Sequence, residues 1–207
     1  MKRFMFLVLL AVTSLALAPA MPVQAAEVMR FQFRGRVAQA VFSTTDGCIA
    51  TDAYVFAVDG QFKESGGKPA SQVVAGVTVA RYNQCTGELL NIADGFTELD
   101  AGAFQIDRKL NSATLNTTVQ VTDFETGETF SVNVDLSFVT GGSPTRTRDN
   151  FQIRTPSFKV NSRYNSTSRA ATVTGSVTTP TQTFSPDQIV FAELALVRSG
   201  TTFITTK

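Results

Sequence analysis

The clearest pattern of apolar and polar positions lies between Leu115 and Val139, LNTTVQVTDFETGETFSVNVDLSFV. Leu115, Val119 and Val121 alternate with Asn116, Thr118, Gln120 and Thr122. Phe130, Val132, Val134, Leu136 and Phe138 then alternate with Ser131, Asn133, Asp135 and Ser137. A period of two marks a strand with one buried face. Between the runs, Glu125-Thr126-Gly127-Glu128 has the composition of a tight turn, with a glycine able to take a positive φ. A fold-back between Thr126 and Gly127 predicts Val121 opposite Val132, Val119 opposite Val134 and Leu115 opposite Phe138. A slip of one residue would set Val121 against Ser131, so the alternation selects the phase.

The same reading extends along the chain. Strands are predicted in Glu27–Phe42, where Met29, Phe31 and Phe33 alternate with Arg30, Gln32 and Arg34, and at Cys48–Val58, Val73–Tyr82 and Glu88–Thr97. Phe104–Ile106 starts a short strand, and a change of phase near Asn111-Ser112 implies a turn or bulge. Phe151–Val160 reads as a strand pair or a kinked strand broken at Pro156, and Ala170–Val177 as a strand. Gly and polar content predict loops at Asp59–Ser71 and Gly141–Asn150, a turn-like stretch at Asn161–Ser168, and a connector at Thr178–Pro186. Ser185-Pro186-Asp187-Gln188 resembles a helix start, and Ile189–Val197 is read as a strand. Ser199-Gly200 then predicts a closing hairpin with Thr201–Thr205. Many short strands without a long amphipathic helix predict an all-β protein. We expect an antiparallel β-sandwich, with a closed β-barrel as the alternative.

The N-terminus breaks the pattern. Lys2 and Arg3 precede an apolar run, Phe4–Leu17, and Val23-Gln24-Ala25 is a small-x-small cleavage site. Residues 1–25 are therefore expected to be a cleaved signal peptide and 26–207 one sandwich domain, secreted or periplasmic. The apolar run is shorter than the about 20 residues a spanning helix needs. In an exported chain, the two cysteines Cys48 and Cys85 predict one structural disulfide.

Chemistry is bounded mainly by what the sequence lacks. There is no His, which removes Ser-His-Asp and Cys-His catalysis and imidazole metal sites. Ser65-Gly66-Gly67-Lys68 matches S-x-x-K, but Gly-Gly is a poor helix start and the partner motifs are missing. Asp52, Glu88 and Asp94 lie near strands without a spacing that singles them out as catalytic acids. Asp46-Gly47, Asp59-Gly60 and Asp94-Gly95 read as turns rather than calcium ligands, since no D-x-D-x-D-G loop is present. No metal or cofactor site is predicted. With 17 Phe, 3 Tyr and no Trp, the chain is poor in the rings that favour sugar platforms and membrane girdles, which counts against a typical carbohydrate module and an outer-membrane barrel.

Charge changes the picture in one place. Gly141–Arg169 carries Arg146, Arg148, Arg154, Lys159, Arg163 and Arg169 against Asp149 alone, whereas Glu88–Asp135 is strongly acidic. An ordinary solvated face is one reading of the basic segment. The sharper readings are an anionic ligand, such as a surface polysaccharide, at Arg146, Arg148, Arg154 and Arg163, or subunits meeting basic side to acidic side. Nucleic acid is not expected, for want of interleaved aromatics. The expectation is a non-catalytic binding or structural protein outside the cytoplasm that does not span a membrane. A carboxylate-dependent hydrolase is the first alternative and a small outer-membrane barrel the second.

Overall fold

The computed structural model describes residues 28–154 and 158–206, so the predicted leader lies outside the described residues. The strands are β1 (Val28–Asp46), β2 (Ile49–Glu64), β3 (Ala70–Asn83), β4 (Glu88–Glu98), β5 (Phe104–Ile106) and β6 (Ser112–Asp123). They continue with β7 (Thr129–Thr140), β8 (Thr145–Arg154), β9 (Phe158–Thr178), β10 (Thr183–Phe184) and β11 (Ile189–Thr206). The expected helix start is a single 3-10 turn, Pro186–Gln188, in which the Ser185 amide donates to Gln188 Oε1 at 2.9 Å.

Every pairing is antiparallel, and the architecture is all-β and sandwich-like. The order β9-β11-β1-β2-β3-β4-β6 returns to β9 through β7, so the pairings complete a circuit. The circuit is uneven, because β4 meets β6 through only Ala93↔Asp123 and Asp94↔Thr122. Its interior is packed with apolar side chains. Ala38, Ala40 and Phe42 of β1 and Ala53, Val55 and Ala57 of β2 face Leu115, Val119, Val132, Val134 and Phe138 of β6 and β7. Glycines close both seams. A β-carbon at Gly95 would collide with the Gln120 carbonyl, and one at Gly175 (φ +103) with the Asp135 carbonyl. Asp94-Gly95 is thus no turn but a point of close approach inside β4. Asp59-Gly60 likewise lies inside β2, and only Asp46-Gly47 turns.

The β6–β7 hairpin has the predicted faces and a corrected register. Val119, Val121, Val132 and Val134 are buried, and Gln120 and Asn133 are exposed. The partners, however, are Val119↔Val132, Val121↔Phe130 and Leu115↔Leu136, two residues from the predicted pairing. Asp123 decides this. Its Oδ1 accepts the amides of Glu125 and Thr126 at 2.8 and 3.0 Å, and its carbonyl accepts that of Gly127 at 2.8 Å. The loop therefore needs Gly127 (φ +74) at its last position rather than within a two-residue turn. A slip of two preserves every face, so alternation does not detect it.

Parts of two predicted loops and the whole turn-like stretch are strand, while 65–69 and 141–144 remain loop. β2 runs on to Glu64, Thr145–Arg154 is β8, and Asn161–Ser168 is the middle of β9. The predicted closing hairpin at Ser199-Gly200 is instead a bulge in β11. Val197 and Ser199 pair with adjacent residues of β9, Ser166 and Asn165, leaving Arg198 as the extra residue. Gly200 has no side chain because the Tyr164 ring lies across it. Cys48 and Cys85 form the predicted disulfide, with Cα atoms 5.4 Å apart, and tie the β1–β2 turn to the β3–β4 turn.

Candidate anion-binding face

β8 and β9 escape a hydrophobic reading because serines and threonines take several of their inward positions. Ser162 is fully buried and shares a 2.9 Å hydrogen bond with Thr202 of β11, which also lies 3.0 Å from the Tyr164 hydroxyl. On the opposite face of this hairpin, Arg146, Arg148, Arg154, Arg163 and Asn165 are exposed. The register pairs Arg146↔Thr167, Arg148↔Asn165, Asn150↔Arg163 and Arg154↔Lys159. Directly opposed residues of an antiparallel pair share a face. Arg146, Arg148, Arg154 and Arg163 therefore project from one side of the hairpin, from strands and not from the flanking loops expected for Arg146, Arg148 and Arg163. All four are exposed. Asp149 points the other way.

The face continues beyond the basic segment. Arg163 pairs with Thr201 and Asn161 with Phe203 on β11, and these pair with Gln32 and Arg30 on β1. The Arg30 guanidinium lies 5.6 Å from the Phe203 ring centroid. Gln32 is opposite Lys63, and Arg34 opposite Gln61, on β2. The bulge brings Arg198 into the same region, where Arg146, Arg148, Asn165, Thr167 and Arg198 line a groove of about 330 Å³. A neighbouring hollow of about 460 Å³ is lined by Arg34, Arg36, Asp59, Arg108 and Leu196. Asp59 is the acid of this hollow, and it is already bound by Arg36, which also donates to the Ile106 carbonyl at 2.8 Å. Among the described residues, Arg146, Arg148, Arg154, Arg163 and Arg198 have no ion-pair partner. Arg169 differs. It donates to Asn111 Oδ1 at 2.7 Å and to the Gly142 carbonyl at 3.0 Å, pinning two loops together.

The sequence reading missed Arg30, Arg34, Lys63, Arg108 and Arg198. The alternation of Arg30 and Arg34 with phenylalanines was the one visible sign.

The acids near strands have local partners. Asp52 accepts from the Tyr82 hydroxyl at 3.1 Å, and Asp94 from Thr78 Oγ1 at 2.6 Å. Burial pushes the Asp94 carboxyl up, partly offset by hydrogen bonds from Thr78 and the Gly95 amide. Glu88 is exposed at the start of β4. On the face of the sheet opposite the arginines, Gln39 donates to Glu193 at 2.6 Å and accepts from the Tyr54 hydroxyl at 2.8 Å. Burial first and Glu193 second push the Tyr54 phenol upward, so it stays protonated. A groove of about 540 Å³ there includes Asp149, Phe191 and Glu193 in its lining, but the Glu193 carboxylate is committed to Gln39. Ser65–Lys68 lies in the β2–β3 connection, with no helix to present the serine. No group of three or more potential metal ligands occurs among the described residues.

No family model matches the chain, and no curated protein matches it. Among solved structures, a candidate AttH from Nitrosomonas europaea is similar at 12% identity, with a TM-score of 0.25. The match covers 92% of this chain but 58% of that one. Likeness at this level carries no argument about activity.

Proposed function

We propose that this is an exported, non-catalytic protein that binds an acidic polymer of the cell exterior through the face bearing Arg146, Arg148, Arg154 and Arg163. The observation that carries the reading is the convergence of these four with Arg30, Arg34, Lys63 and Arg198 on one exposed side, where Asp59, the acid lining the adjoining hollow, is paired with Arg36. Crowding like charges without partners opposes folding slightly, and an anion relieves it. Arginine suits the task because its planar fork holds a carboxylate or sulfate with two parallel hydrogen bonds. An oxidised disulfide accords with export. Among the described residues no helix is long and apolar enough to cross a membrane. An apolar interior behind the polar outer positions of β6 and β7 is the reverse of the pattern in a membrane barrel.

The test is retention of the protein on immobilised acidic polysaccharide across a salt series, beside a variant with Arg146, Arg148, Arg154 and Arg163 changed to Ser. The native protein should elute at higher salt, with retention falling steeply as salt rises. Equal elution of the two proteins would reduce the segment to a solvated face.

A further inference from the structure

We infer that the ligand is a linear acidic polysaccharide lying across the strands in one trough, engaging two separate arginine clusters at once. This rests on the proposed anion-binding role and specifies its geometry. The groove at Arg146, Arg148 and Arg198 and the hollow at Arg34, Arg36 and Arg108 are neighbours. Thr167 lines the first and Leu196 the second, and Thr167 pairs with Leu196 across β9 and β11. One row of opposed residues, Arg146–Thr167–Leu196–Arg36–Asp59, thus runs through both, from β8 to β2. Five strands span four gaps, roughly 19 Å at the usual inter-strand spacing.

Along the row between Arg146 and Arg36 lie two uncharged residues, Thr167 and Leu196. Thr167 and Asn165 line the first groove beside Arg146 and Arg148. An uncharged stretch flanked by arginines matches a saccharide chain that carries carboxylates or sulfates at intervals rather than on every unit. An extended acidic peptide would be better served by the edge of β8, where its main chain could add a strand, than by a path perpendicular to the strands. Single-stranded nucleic acid would need aromatic platforms along the path, and the trough walls contain none.

A ligand long enough to reach both clusters makes its second contact intramolecularly, so affinity should jump with length rather than rise evenly. The experiment titrates the protein with oligogalacturonates of increasing length, with oligosaccharides of a sulfated glucan as a second arm. Oligoglutamates of matching length form a third. Two exposed double variants accompany it, Arg146→Ser/Arg148→Ser and Arg34→Ser/Arg108→Ser, each checked for a native circular-dichroism melt. Native protein should gain tenfold or more in affinity once the oligosaccharide spans the trough, in at least one saccharide arm. Either double variant should lose that gain and bind long oligomers no better than short ones. Binding without a length threshold, or indifference to Arg34→Ser/Arg108→Ser, would overturn the trough and leave simple anion binding standing. Oligoglutamate binding as tightly as saccharide would overturn the polysaccharide as occupant. Failure of all three arms to bind would instead overturn the anion-binding reading itself.

Discussion

At the scale of single residues, the polar groups on the β1–β4 wall illustrate how burial changes titration. Asp94 is held in a site that disfavours its charge, and the Thr78 hydroxyl and Gly95 amide compensate only in part. An acid whose pKa is raised on folding binds more protons in the native than in the unfolded state within the shifted range. Stability then declines as pH rises from the ordinary aspartate value through the raised one, and remains lower above it. Asp94→Asn keeps an acceptor for Thr78 without the charge. It should therefore raise the urea midpoint at neutral pH and lose that advantage below the ordinary aspartate pKa. A midpoint difference independent of pH would show that the charge of Asp94 is not the source. Asp123 illustrates the opposite case. The Asn91 amide at 2.6 Å and the turn amides hold its carboxyl below the usual range while it shapes the hairpin.

At the scale of elements, β6 and β7 are specified by face and by turn separately. Val132 is fully buried against the core, whereas its neighbour Asn133 is exposed and accepts from Thr118 Oγ1 at 2.8 Å. Val132→Asp buries a charge with no partner and should cost on the order of 4 kcal/mol, enough to unfold a marginal protein. Asn133→Asp keeps the acceptor at an exposed position and should stay within about 0.5 kcal/mol. Circular-dichroism melts of the two variants are the check, and similar mild losses would contradict the burial. The bulge in β11 shows how one residue re-aims a side chain toward the proposed face. One inserted residue ends strict alternation, lets Tyr164 cover Gly200, and turns Arg198 toward Arg146 and Arg148.

At the scale of the whole molecule, the disulfide joins two turns at one end of the wall, while the basic face lies toward the other ends of β1 and β2. Cys48 and Cys85 are 37 residues apart, and closing a loop of that length constrains the unfolded chain by about 4 kcal/mol on the chain-entropy model. Replacing both cysteines by Ser should lower stability by roughly 2–4 kcal/mol in urea titrations. Binding of acidic polysaccharide should be unchanged where the variant is folded. Lost binding in a fully folded variant would tie the disulfide to the face itself.

Much of the local structure was legible because alternation is a local property. The buried positions of the hairpin, the change of phase near Asn111 and the 3-10 turn at Pro186 each depend on neighbouring residues, and the disulfide partners were legible because the sequence holds two cysteines. Leu110 marks that change of phase with a φ of +59. The four arginines, too, were visible as a cluster in sequence. What alternation leaves open is anything that repeats every two residues or depends on distant pairing. The hairpin register therefore rested on the hydrogen bonds of Asp123 and the position of Gly127. The continuity of β9 rested on polar positions such as the buried Ser162, whose partner Thr202 lies on β11 and which hydropathy scores as loop. Only the tertiary pairing of β9 with β11, β11 with β1 and β1 with β2 set Arg146 and Arg148 on one face with Arg30 and Arg34, more than a hundred residues away in the chain. Strand order is decided by which edges meet across a shared core, and no residue pattern within a single strand encodes it.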